Sequence, residues 1–134
     1  MSPVRYAIGL GCDRGTPEVT LQQVLDQALD GLGARPAQVV AAASIDLKAD
    51  EAGLLALAQT HGWTLRFYPA AVLADVPVPH PSETVRRHTG TPSVSEASAL
   101  LAGGGLPMTA LVVEKHKHRG ADGRHATISI ARIC

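Results

Sequence analysis

A chain of 134 residues in which 12 basic side chains balance 12 acidic ones carries no formal net charge, so it lacks the global field that marks nucleic-acid binders. Aromatic residues make up only 3% of it, too few for base-stacking platforms, and no apolar run reaches the roughly 18 residues of a membrane span. Abundant Ala, Leu and Val suit helices packed on a buried sheet, and the length suits one domain over residues 1–134. Two cysteines, Cys12 and Cys134, make no disulfide framework, and no leader-like segment opens the chain. A cytoplasmic protein with two free thiols is expected.

Tyr6-Ala7-Ile8 starts a first strand that enters the glycine-rich turn Gly9-Leu10-Gly11-Cys12-Asp13-Arg14-Gly15. Thr16-Pro17-Glu18 then has the form of a helix start: a capping hydroxyl, a proline at the first helical position and an acid in the first turn. Leu21, Val24, Leu25, Ala28 and Leu29 repeat with helical spacing along one stripe, with Gly31 and Gly33 as stops. Val39 to Ala43 reads as a second strand buried on both faces, and Asp50 as the cap of a helix carrying Leu54, Leu55, Leu57 and Ala58 that stops near Gly62. Residues 63–68 form a third strand whose spacing fits a right-handed crossover.

After a helical turn over 70–74 comes Val76-Pro77-Val78-Pro79-His80-Pro81, too rich in proline for a central strand. Ser82 opens a short helix to His88, and Ser93 another in which Glu96 is placed for a capping box and Val94, Ala97, Leu100 and Leu101 make the buried face. Gly103 to Pro107 ends it. Thr109 to Val113 and Ala126 to Ala131 read as an antiparallel pair joined by a basic tip, 115–125, with turns at Gly120 and Asp122-Gly123. The expected fold is α/β: a mostly parallel open sheet with helices on both faces and a C-terminal antiparallel hairpin.

Three strand-to-helix junctions gather the candidate chemistry. They are Gly11, Cys12 and Arg14 in the first, Ser44, Asp46 and Lys48 in the second, and Thr91, Ser93 and Glu96 in the third. In open α/β sheets such junctions share one edge and ligands sit beyond the carboxyl ends of the strands, so the three loops should line one cleft. Glycine-rich turns before helices present free N–H groups, which suits an anionic ligand. The pattern is not a dinucleotide fingerprint, because the third glycine is displaced to Gly15 and no acid follows at the proper spacing.

Each candidate also has a structural explanation. Capping accounts for Asp50, Glu51, Thr91, Ser93 and Glu96, whereas Asp46 and Lys48 are left without one. Cys12, beside Arg14 and a helix start, is either a stabilised thiolate or a small loop residue. His116, His118 and His125 could approach one another, but no zinc-type spacing is present and a solvated basic tip is the simpler reading. Neither metal nor cofactor is expected.

Taken together, four stretches resemble the cobalamin-biosynthesis family that comprises CobE and the C-terminal domain of CbiG. They are Gly9 to Thr16, Ser44 to Glu51, Val78-Pro79-His80-Pro81-Ser82-Glu83 and Gly90-Thr91-Pro92-Ser93-Val94-Ser95-Glu96-Ala97. The resemblance spans nearly the whole chain, and its length is similar to that of free-standing CobE. The family usually has a basic residue at the place of Asp13 and asparagine at that of His80, and its final hairpin is commonly shorter and less histidine-rich.

The resemblance implies action on, or binding of, a precorrin-type tetrapyrrole intermediate, with other pathway enzymes as partners. Such molecules are flat and rich in carboxylates, which Arg14, Lys48 and one of Lys115 and Lys117 could receive. Three roles follow. The first is a carrier in the oxygen-dependent route. The second is a hydrolase or isomerase with Asp46 or Glu96 as base and Lys48 stabilising negative charge. The third is an accessory protein working through contacts with an enzyme.

Overall fold

The computed structural model describes residues 3–133. Five strands, β1 (Tyr6–Cys12), β2 (Val39–Ile45), β3 (Leu65–Tyr68), β4 (Leu111–Arg119) and β5 (His125–Arg132), form one sheet in the order β3-β2-β1-β5-β4. β1 to β3 pair in parallel, and β5 runs antiparallel to both β1 and β4. The sheet is thus mixed. Its parallel part is the N-terminal half, and the C-terminal hairpin extends it past β1, with β5 against β1 and β4 at the edge.

Helices cover both faces. Tyr6, Ile8 and Leu10 of β1 and Ile128 and Ile130 of β5 alternate toward α1 (Glu18–Leu32) and α2 (Ala52–His61), meeting Leu21, Val24, Leu25, Leu29, Leu54 and Leu57 in the main core. The opposite face carries small residues, Ala7, Gly9, Ala43, Ser129 and Ala131, and α5 (Ser95–Ala102) lies directly on it. Glycine at position 9 is what admits this helix: a Cβ there would overlap the Ser95 carbonyl oxygen and the Ala99 amide. α5 is therefore buried on nearly every side, unlike an ordinary surface helix. Two short helices, α3 (Ala70–Ala74) and α4 (Glu83–Thr89), precede it.

Several local expectations change for physical reasons. Thr16 does not cap α1; its hydroxyl donates to the Asp13 carbonyl at 2.7 Å, and Pro17 occupies the cap position. Gly31 stays helical, and Gly33 alone stops α1, at φ 65°. Val40 in β2 is exposed, so burial on both faces holds only for its second half. Trp63 lies before β3 and stacks on His61 with ring centroids 4.5 Å apart. The basic tip shrinks, because β4 continues through Lys115 to Arg119 and only 120–124 turn. Ser82 caps α4 as expected, its Oγ accepting from the Val85 amide.

Candidate functional site

At the carboxyl ends of β1 and β2 a cavity of about 500 Å³ opens. Gly11, Cys12, Asp13 and Arg14 from the first loop, Ile45, Leu47 and Lys48 from the second, and Val94 and Ser95 from the third line it together. The three junctions thus do share one cleft. β4 and β5 close one side with Lys115, Lys117, His125 and Thr127, and α4 contributes Thr84, Val85, His88 and Thr89.

The charges around it fall into two kinds. Arg14 is already engaged: its guanidinium donates to Asp50 at 2.8 Å, to Glu51 at 2.6 Å and to the Leu47 carbonyl at 2.9 Å. Both acids raise the guanidinium's pKa further, and Arg14 in turn holds the Asp50 carboxyl below the usual carboxylate range. Glu51 is buried and takes a second bond from the Gly15 amide at 2.9 Å. This corrects the reading of Asp50 as the cap of α2, since Glu51 holds the cap position and its carboxylate bonds elsewhere. Asp50 and Glu51 fasten the first loop to the second, and α2 has no side-chain cap.

Lys48, Lys115 and Lys117 differ. Each lines the cavity, and none makes a hydrogen bond or ion pair among the described residues. Asp13 is the one acid in the lining, and it is occupied: it accepts from the His125 amide at 2.7 Å and faces the His125 ring at 3.3 Å. A cavity of this kind favours a ligand with several negative charges.

Four of the remaining candidates, Ser44, Thr91, Ser93 and Glu96, are buried and do not line the cavity. Ser44 is buried, its Oγ donating to the Leu10 carbonyl at 2.6 Å and tying β2 to β1. Thr91 donates to the Ser93 carbonyl, and Ser93 donates to Glu96 at 3.1 Å. The capping box expected of Ser93 and Glu96 is instead a side-chain pair, and Val94 holds the cap position of α5. Burial pushes the Glu96 carboxyl up, partly offset by the Ser93 bond and by the charge of Lys115, and its Oε2 has no partner among the described residues. Asp46 is exposed and does not line the cavity. Cys12 is a free thiol pushed up to about 11, chiefly by burial, against an opposing pull from Lys48. The expectation for Cys134 lies outside the described residues.

The histidines of the hairpin separate. His116 meets Gln27 at 2.7 Å and His118 meets Gln23 at 2.9 Å, both on α1, while His125 turns to Asp13. Sequence reasoning missed α4 as a wall of the site. The available signal was a short helix between Pro81 and Gly90 with no apolar stripe, which has no core of its own to bury.

Comparison with known proteins agrees with this architecture. The family described as Cobalamin synthesis G C-terminus matches residues 6–131. A cobalt-precorrin-5A hydrolase from Priestia megaterium is 38% identical over 102 residues, 76% of this chain but 27% of that protein. Protein CobE from a Sinorhizobium species is 35% identical over 126 residues, covering 92% of this chain and 77% of the relative. The solved structure of CobE, a protein from the cobalamin (vitamin B12) biosynthetic pathway, superposes with a TM-score of 0.81 at 35% identity, over 99% of this chain and 93% of that one.

Proposed function

The chain belongs to the cobalamin synthesis G C-terminal family, and from that premise we propose that it binds a precorrin-type tetrapyrrole intermediate and carries it to a pathway enzyme. The observation that carries this reading is the cavity at the strand ends, where Lys48, Lys115 and Lys117 line about 500 Å³ of space and make no hydrogen bond or ion pair among the described residues. An unpaired lysine beside another gains nothing for the fold. A carboxylate bound between them gains charge-assisted hydrogen bonds. Precorrins carry many carboxylates around one ring, so a single molecule can meet several of these lysines at once.

The hydrolase found in the Priestia relative is the second reading, and this chain spans about a quarter of that protein. Its candidate bases fit poorly: Asp46 and Glu96 both lie off the cavity lining, and Glu96 is engaged by Ser93. Holding the ring is therefore favoured over cleaving it. A titration across purified precorrin intermediates, followed by absorbance without partner enzymes, tests the proposal. Saturable spectral shifts with an unchanged product profile support a carrier. Turnover would establish the hydrolase or isomerase, and absence of binding would leave only an accessory role through protein contacts.

A further inference from the structure

Lys115 and Lys117 are two residues apart on β4, so they project to the same side, and both line the cavity. His116 and His118, which alternate with them, point the other way onto α1. The pairing with β5 shifts register between Val113 and His116, placing one extra residue on β4 just where Lys115 stands. A bulge of this kind re-aims a side chain. Two strand positions of one face are roughly 6.5–7 Å apart. Glu114 meets His80 at 3.4 Å and Asp13 meets His125, while the buried Glu96 is bonded to Ser93 and feels the Lys115 charge without forming an ion pair with it.

We propose that Lys115 and Lys117 form a two-pronged grip for two carboxylates on neighbouring arms of one ring, and so set which edge of the tetrapyrrole enters the cavity. This rests on the tetrapyrrole-binding reading above and adds a specificity to it. Lys48, on the opposite wall, takes a further carboxylate singly. The selectivity is therefore for rings that bear adjacent carboxylate pairs, over rings that bear isolated ones.

Two porphyrins test it by fluorescence titration: uroporphyrin III, with two carboxylate arms on each pyrrole, and coproporphyrin III, with one. The wild-type protein should bind the first at least tenfold more tightly. Lys115→Ala and Lys117→Ala should each abolish most of that ratio, because a two-pronged grip needs both prongs, whereas Lys48→Ala should weaken both porphyrins alike and keep the ratio. The double variant Lys115→Arg, Lys117→Arg should keep it too, with unfolding curves confirming an intact fold. If all three alanine variants change the ratio equally, charge number alone governs binding and the grip is wrong while the carrier reading stands. If neither porphyrin binds, the grip and the reading beneath it both fail.

Discussion

The loop joining Asp46 to Glu51 holds two basic-residue environments within reach of each other, and they are put to opposite uses. Arg14 is drawn into this loop by two acids and a carbonyl, which welds the first junction to the second. Lys48, three residues before Glu51, lines the cavity and makes no hydrogen bond or ion pair among the described residues. An arginine fork satisfies several acceptors at once and suits structure, while a single ammonium without a partner suits a ligand that comes and goes. The same division separates the inward polar groups, Ser44, Ser93 and Glu96, from the outward lysines of β4. Polarity at a strand end is thus no sign of binding until its partners are known.

If that division is right, the largest loss of stability comes from Glu51→Ala. It leaves the Gly15 amide and Arg14 without their buried acceptor, and about 1–3 kcal/mol should be lost in urea unfolding. Arg14→Ala should lower the melting temperature less, since its guanidinium is largely in solvent, and it should alter ligand affinity far less than Lys48→Ala does. Equal effects of these two on affinity would erase the distinction.

Glu96→Gln sharpens the comparison through pH. A carboxyl whose folded pKa lies above its unfolded value binds more protons when folded. Its contribution is complete below the unfolded value near 4.5 and is lost as pH rises through the higher folded one. The variant should therefore lose less stability than the wild type between pH 4 and pH 7, and parallel curves would mean that Glu96 ionises freely. The smallest effect belongs to Cys12→Ser, which should leave binding within twofold. With the thiol pushed up to about 11, alkylation by iodoacetamide at pH 8 should run at least tenfold slower than on a free cysteine.

Much of the fold was legible because its signals are local. The stripe from Leu21 to Leu29, the Ser82 cap and the turn at 70–74 depend on neighbours along the chain, and each stands where expected. Long-range choices were not legible. Asp50 and Glu51 have the composition of a helix start, and nothing local announces that Arg14, 36 and 37 residues earlier, will claim them. The pairing of β5 with the free side of β1 is likewise a matter of tertiary structure, and it is what brings Lys115 and Lys117 to the cavity. The shared edge of the first two loops could be foreseen from strand-end geometry, whereas the third, read as a strand-to-helix junction, in fact joins α4 to α5 and reaches the cleft through tertiary packing. Which side chains face it could not be foreseen, since Ser44, Thr91, Ser93 and Glu96 turn inward to bonds invisible in sequence.

Titration of one purified precorrin intermediate against the wild-type and Lys48→Ala proteins, at low and high salt, tests the central claim most directly. A charge-assisted hydrogen bond is worth roughly 1.5–3 kcal/mol, so the variant should bind about 10- to 100-fold more weakly at low salt, with an almost unchanged melting temperature. Added salt should weaken the wild type more than the variant, which has already lost a screened attraction. Equal affinity of the two proteins at both salt concentrations would contradict the account and reduce Lys48 to a solvated surface charge.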